Sequence, residues 1–179
     1  MKIAITGHSK GIGKACYDLF VSDYDVKGFS RSNGFNIDKN QDLIIREASD
    51  CDVFINNAYS DFSQTEILKK LFYKWHDNNT KTIVNIISRS KYYKVGQTRS
   101  DEYCMQKRAL YDVAESMMLS KDKKCRIINI NPGYVRTDMI PHIGADVNVL
   151  KAEEVAECIK WTLDLPKHME IGELSVWHV

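Results

Sequence analysis

Tyr103 and Lys107, two side chains that together could move a proton, stand four residues apart. They fall in a segment whose apolar residues recur at helical spacing, so both are expected on one face of a helix. Lowering the pKa of a tyrosine from near 10 to about 7 requires roughly 4 kcal/mol. One ammonium about 4 Å away supplies on the order of 4 kcal/mol at an effective dielectric near 20. The pair could therefore act as a general acid/base at neutral pH, although the same spacing also occurs in ordinary exposed helix pairs.

A glycine cluster is the second chemical feature. Three of the nine glycines fall within residues 7–13, in Thr6-Gly7-His8-Ser9-Lys10-Gly11-Ile12-Gly13. The cluster lies between an apolar run and a helical pattern, where glycines permit a tight turn and the following helix N-terminus can bind phosphate. The spacing is GxxxGxG rather than GxGxxG, so the cluster alone also suits a flexible loop.

The elements that must position these groups alternate between strand and helix. Strands are predicted at 2–6, 25–30, 52–56, 82–88, 126–131 and 174–179, and helices at 14–22, 40–48, 64–76, 101–119 and 152–165. Continuously apolar strands between helices predict a parallel sheet covered on both faces. We therefore expect an α/β fold in a single domain over residues 1–179: a Rossmann-like doubly wound parallel sheet in three αβα layers.

Composition narrows the function. Lys plus Arg number 25 and Asp plus Glu 24, a net charge of +1 in 179 residues, which argues against a strongly basic nucleic-acid binder or a disordered chain. No apolar run approaches the roughly 20 residues of a membrane span, and the start shows no signal-peptide pattern. The five cysteines and five histidines do not cluster. We expect no metal site, no nucleic-acid partner, no membrane association and a cytoplasmic location.

Five segments, taken in order, resemble the short-chain dehydrogenase/reductase superfamily. They are the TGHSKGIG loop, Asn56-Asn57-Ala58, the strand ending in Ile86-Ile87-Ser88, the YxxxK pair Tyr103/Lys107, and Pro132-Gly133-Tyr134-Val135-Arg136-Thr137. The resemblance covers about residues 1–138 and resumes near the C-terminus. At 179 residues the chain is shorter than is usual for the superfamily.

The resemblance implies hydride transfer between a nicotinamide and a small carbonyl or alcohol substrate. Tyr103 would be the general acid/base, Lys107 would tune Tyr103 and bind the nicotinamide ribose, and a serine would polarise the carbonyl. Ser88 precedes Tyr103 by 15 residues and Ser90 by 13. Ser88 is preferred because the end of a strand fixes its direction better than a loop, but Ser90 remains an alternative.

The resemblance also predicts the cofactor. An acidic residue after the second strand would hold the ribose of NAD, but this sequence has Ser30 and Arg31 there, with Lys10 as a second cation. Two cations suit a 2′-phosphate, so NADP(H) is expected over NAD(H). Asn36 and Ile37 are expected by the adenine, Asn57 and Ala58 by the ribose, and Val135 and Thr137 at the carboxamide. The remaining expected cofactor residues are Gly7, Ser9, Gly11, Ile12, Gly13, Ser32, Tyr103, Lys107, Pro132 and Gly133.

The sequence departs from the superfamily pattern in four places. Tyr59 replaces the glycine after Asn-Asn-Ala, and either fills the floor of the site or points outward. Segment 64–76 lacks the asparagine that many relatives use to support a proton-relay water. Residues 59–63 leave no room for an extra helix. About 15 residues between Thr137 and Ala152 would form only a small substrate lid and an open pocket.

Two functions stay open at this level. The first is an NADP(H)-dependent alcohol dehydrogenase or carbonyl reductase, and the second is a non-catalytic NADP(H)-binding sensor or scaffold. A homodimer is also expected, because the apolar stripes of 64–76 and 101–119 exceed what one face requires, notably at Tyr73, Trp75, Met117 and Met118.

Overall fold

The computed structural model describes residues 1–93, 96, 101–138 and 148–179. These form one parallel sheet and five α-helices, with short 3₁₀ turns at Arg31–Asn33 and Arg89–Tyr92. The strands are β1 (Lys2–Thr6), β2 (Asp25–Phe29), β3 (Val53–Asn56), β4 (Thr82–Ile86), β5 (Arg126–Pro132) and β6 (Glu173–Val176). The helices are α1 (Gly11–Phe20), α2 (Gln41–Glu47), α3 (Ser63–Trp75), α4 (Asp101–Met118) and α5 (Ala152–Asp164).

The predicted fold class is confirmed. All six strands pair in parallel in the order β2-β1-β3-β4-β5-β6. Every predicted strand and helix is present, and the differences are at the boundaries. Helix α1 begins at Gly11, three residues before its predicted start, because the glycine turn is itself the first turn of the helix.

Alternate residues of the strands fill two cores on opposite faces of the sheet, as the period of two requires. Ala4, Phe54 and Ile83 face a core that also contains α2, α3 and α4. Ile3, Ile55 and Val84 face a core built with α1 and α5. The sheet is therefore the middle of three layers.

The strand order reverses between β1 and β3. The chain passes from β1 outward to β2 and then returns across β1 to β3, so that the loops after β1 and β3 part to opposite sides. Between β2 and β3 the only helix is α2. Crevices in open parallel sheets lie at such a reversal, which is where the glycine cluster is found.

The stripes that suggested a homodimer mostly pack inside the monomer. Trp75 is 2% exposed and Met117 8%, and Met118 packs against the same core. Only Tyr73 is largely exposed, at 70%. The dimer stays a prediction, and most of the side chains that motivated it are accounted for by the core.

No helix in the described part of the chain is long and apolar enough to cross a membrane.

Candidate functional site

The glycine cluster forms the turn from β1 into α1. Gly7 has φ +72° and Gly11 φ +54°, which side chains other than glycine rarely adopt. A Cβ on Gly13 would lie 2.2 Å from the Gly7 carbonyl oxygen, so Gly13 lets helix and turn approach closely. No side chain caps the N-terminus of α1. Its first N–H groups are therefore available to an anion.

The loop after β3 is tied to this turn. The Thr6 hydroxyl accepts hydrogen bonds from the backbone N–H groups of Asn57, at 2.9 Å, and Ala58, at 3.0 Å. The Asn57 side chain donates to the Thr6 carbonyl at 2.9 Å. Two segments 50 residues apart in the sequence thus become one surface at the reversal of the sheet.

The segment after β2 places Arg31 on the surface, in the turn that follows the strand. The Ser30 and Ser32 hydroxyls lie 2.7 Å apart. The other predicted cation, Lys10, forms an exposed ion pair with Asp138 at 3.1 Å. Lys10 and Arg31 are the two cations expected at the ribose. Within the described residues, Lys10 has an ion-pair partner and Arg31 has none.

The residues expected by the adenine are engaged within the protein. The Asn36 side chain accepts from the backbone N–H of Asp38 at 2.8 Å and so shapes a turn. Ile37 is 7% exposed and belongs to the core that contains α2. These two positions support the loop after β2.

The segment after β5 approaches the glycine turn from the other side. A Cβ on Gly11 would lie 3.2 Å from Cγ2 of Thr137. Pro132 ends β5, the Gly133 N–H donates to the Val176 carbonyl at 2.8 Å, and Val135 is buried. Exposed Ser9 and half-buried Ile12 lie on the turn itself. The structure therefore gathers the predicted loops at one edge of the sheet.

The Ser88 side chain lies close enough to Tyr103 to oppose the rise in the pKa of the phenol that burial causes. The Ser88 oxygen accepts from the backbone N–H of Ser90 at 3.1 Å, which fixes the serine at the start of the turn 89–92. The Ser90 hydroxyl is buried and makes no hydrogen bond to described residues. Of the two candidate serines, the structure brings Ser88 to the tyrosine.

Lys107 is almost fully buried, with 3% exposure. Its ammonium donates to the Gln64 side-chain oxygen at 2.7 Å and to the Ile86 carbonyl at 2.8 Å. It lies 5.7 Å from the centre of the Tyr103 ring. Burial lowers the pKa of Lys107 to about 7, because no carboxylate compensates its charge.

Burial opposes the tuning of Tyr103 by Lys107 that the sequence predicts. It raises the pKa of Tyr103 more than the Ser88 side chain lowers it. Burial also lowers the pKa of Lys107, which reduces the field that its charged form can exert on Tyr103. The sequence arithmetic counted the attraction between the two groups and omitted the cost of burying both.

Tyr59 lies inside the site rather than pointing outward. Its ring meets the Tyr103 ring edge-on, with 4.9 Å between centres, and its centre is 5.4 Å from the Lys107 nitrogen. Its hydroxyl donates to the Gln106 side chain. Burial raises the pKa of Tyr59. A glycine there would have left open the space that this ring takes beside Tyr103.

Gln64, at the start of α3, is a site residue that the sequence reasoning missed. It is 2% exposed and contacts Lys107 directly. The superfamily pattern concerns an asparagine in this segment, and a glutamine 43 residues from Lys107 carries no local signal of this contact. As predicted, residues 57–62 contain no additional helix.

The expected substrate lid lies mostly outside the described residues, which include Thr137 and Asp138 and resume at 148. Within the described part, no group of three or more His, Cys, Asp or Glu side chains could hold a metal ion. All five cysteines lie in the described residues, and none of them forms a disulfide bond.

Sequence comparison finds no relative: no protein-family model matches the chain, and no curated protein matches it. Solved structures do match it. A closed form of serine dehydrogenase complexed with NADP+ is 16% identical, with TM-score 0.79, over 99% of this chain and 95% of that one. A Burkholderia thailandensis oxidoreductase of the short-chain dehydrogenase/reductase family is also 16% identical, with TM-score 0.79, over 98% and 90%.

A third match is 3-ketoacyl-(acyl-carrier-protein) reductase from Brucella melitensis, complexed with NADH. It is 18% identical, with TM-score 0.76, over 98% of this chain and 96% of that one. The fold is thus that of the short-chain dehydrogenases/reductases, as the motifs predicted. Identities this low show the fold and do not assign an activity.

Proposed function

We propose that this chain is an NADP(H)-dependent oxidoreductase that transfers hydride between a nicotinamide and a small carbonyl or alcohol substrate. The observation that carries the proposal is the grouping of Tyr103 with the buried Lys107, whose nitrogen lies 5.7 Å from the centre of the phenol ring, and with Ser88, which affects the pKa of the phenol. Tyr59 links this group to the glycine turn, because it follows Ala58 and packs on Tyr103. A proton donor, its serine partner and a phosphate-binding turn meet at one edge of the sheet.

The residues around the turn fit a dinucleotide. Side chains at Gly7 or Gly13 would collide with Asn57 or with the Gly7 carbonyl, so the turn stays narrow. The uncapped N-terminus of α1 would hold the pyrophosphate. A nicotinamide cofactor supplies or accepts the hydride when it is bound. Lys107 would contact the nicotinamide ribose, with Val135 and Thr137 at the carboxamide.

The chain's own residues would handle the proton. Tyr103 protonates the substrate oxygen during reduction and removes the proton during oxidation. The Ser88 hydroxyl is oriented by the Ser90 N–H and would donate to the same oxygen, which polarises the carbonyl. The pKa of Tyr103 is above its usual value, so the tyrosine is held in the protonated form that reduction needs.

NADP(H) is proposed over NAD(H) because of the two residues that directly follow β2. Ser30 stands where a carboxylate would hold the ribose of NAD, and Arg31 lies on the surface beside it. Lys10 supports this choice less than expected, since it pairs with Asp138. The cytoplasmic location also stays a prediction.

Oxidation of NADPH with a panel of aldehydes, ketones and quinones tests the proposal. Wild type is expected to turn over at least one class. Tyr103→Phe should lose about 10²–10⁴-fold, the usual contribution of a positioned general acid. Exposed Tyr73→Phe serves as the control and should retain full turnover.

A non-catalytic NADP(H)-binding sensor or scaffold remains the second candidate. The Tyr59 ring packed against Tyr103 favours this alternative, because it takes space beside the phenol. Binding of NADPH without turnover on any of the panel, or full turnover by Tyr103→Phe, would favour it over the enzyme.

A further inference from the structure

The ammonium of Lys107 has few partners. Its hydrogen-bond acceptors are the Gln64 side chain on α3 and the Ile86 carbonyl at the end of β4. The titratable groups facing it are the rings of Tyr59 and Tyr103, at 5.4 and 5.7 Å. No ion pair to a carboxylate is found for Lys107 in the described residues, and burial is the one cause acting on its charge. The position of the ammonium therefore depends on these two acceptors, and Gln64 is the one of them that is a side chain.

The orientation of the Gln64 amide is fixed by its surroundings. Its nitrogen donates to the Asn56 carbonyl at 2.5 Å and to the Ile86 carbonyl at 3.0 Å. With the amide reversed, its oxygen would face those two carbonyls and its nitrogen would face the ammonium. All three contacts would then be repulsive. The amide oxygen is thus directed at Lys107.

A buried row of amides holds Gln64 in turn. The Asn56 side chain donates to the backbone carbonyl of Gln64 at 2.9 Å and to the Asn85 side chain at 3.1 Å. Asn85 donates to Asn129 at 3.1 Å. The three asparagines are fully buried and sit opposite one another on β3, β4 and β5. Because Asn56 both donates to and accepts from Gln64, the start of α3 is joined to the sheet at this residue.

We propose that Gln64 is a positioning residue that holds the Lys107 ammonium directly. It would take the place of the water that many relatives support with an asparagine, since segment 64–76 lacks that asparagine. The amide oxygen is a fixed acceptor that cannot be displaced as a water can, so Lys107 is presented to the Tyr103 side in one geometry. The catalytic part of this inference rests on the proposed function, whereas the contact itself does not.

The test measures Lys107 itself. Protein labelled with ¹³C at lysine is titrated by NMR, and the Lys107 signal is the one absent from Lys107→Met. The wild-type midpoint is expected near the pKa of about 7 that burial produces. Gln64→Met should lower that midpoint by roughly one pH unit, because an acceptor for the charged form is lost. Gln64→Glu should raise it, because a carboxylate then faces the ammonium.

Gln41→Met is the matched control. Gln41 is also a buried glutamine with a side-chain hydrogen bond, to Glu66 at 2.7 Å, and it lies on α2 rather than beside Lys107. The Lys107 midpoint should not change in this variant. If Gln64→Met does not fold, Gln64→Asn replaces it, because the shorter amide withdraws its oxygen from Lys107 and should also lower the midpoint.

The pH profile of kcat provides the catalytic readout. It should move in the same direction as the Lys107 midpoint in each Gln64 variant. A midpoint that all the Gln64 variants leave at the wild-type value refutes the inference, whether or not the chain is an enzyme. A midpoint that moves while wild type turns over none of the panel supports the positioning role and refutes the proposed function.

Discussion

At the scale of single residues, the site depends on a few buried polar side chains whose charge costs energy. Lys107 and Tyr103 both lose water, and burial moves both pKa values toward the neutral forms. Ser88 opposes the rise in the pKa of Tyr103, and Gln64 accepts a hydrogen bond from the Lys107 ammonium. The chemistry of the pair is therefore set by its neighbours as much as by its spacing.

Cofactor choice is also argued at this scale. Arg31→Ala should weaken NADPH binding by about 10–100-fold, the equivalent of a lost charge-assisted hydrogen bond, and should leave NADH binding nearly unchanged. Lys10→Ala should have a smaller effect, since Lys10 already pairs with Asp138. Fluorescence titrations with both nucleotides measure this, with exposed Arg46→Ala on α2 as the control. Tighter binding of NADH than of NADPH by wild type would contradict the prediction.

At the scale of elements, a buried charge joins β6 to the turn that contains the candidate site's serine. The Lys91 nitrogen is fully buried in the turn 89–92 and lies 3.0 Å from the Glu173 carboxylate on β6. Tyr92 donates to the same carboxylate at 2.6 Å. Burial lowers the pKa of Lys91, and Glu173 opposes that shift. Because this turn begins at Ser88, the pair also supports the serine.

Glu173→Leu should therefore lower the free energy of unfolding by about 3 kcal/mol, because it leaves a buried ammonium without its carboxylate partner. The double variant Lys91→Met/Glu173→Leu should recover most of that loss. Exposed Glu157→Leu on α5 should stay within about 0.5 kcal/mol of wild type in urea unfolding. If the double variant loses as much unfolding free energy as the two single variants added together, the interaction between Lys91 and Glu173 is not the source of the stability.

At the scale of the whole molecule, the sheet forms one unit and the open question is assembly. The predicted homodimer would use α3 and α4, where Tyr73 remains exposed. Light scattering should give about twice the 20.6 kDa chain mass, and Tyr73→Glu should shift it toward the monomer. Exposed Tyr134→Glu, which follows β5, is the control. A mass of one chain for wild type would remove the dimer.

The sequence alone determined the architecture, because strand and helix patterns are local. Apolar runs such as those of β4 and β5, and the helical stripes between strands, each contain their own evidence of burial. The glycine turn can be predicted for the same reason, since the positive φ angles at Gly7 and Gly11 favour glycine at those positions.

Only the tertiary structure decided which side chains of the site contact one another. Gln64 meets Lys107 across 43 residues, Tyr59 meets Tyr103, and Lys10 turns to Asp138 rather than remaining free. Such contacts depend on which elements the sheet order makes neighbours, and no local pattern records them. The direction of the pKa shift at Tyr103 was beyond the sequence for a related reason, because burial is a property of the packed chain and not of the spacing between two residues.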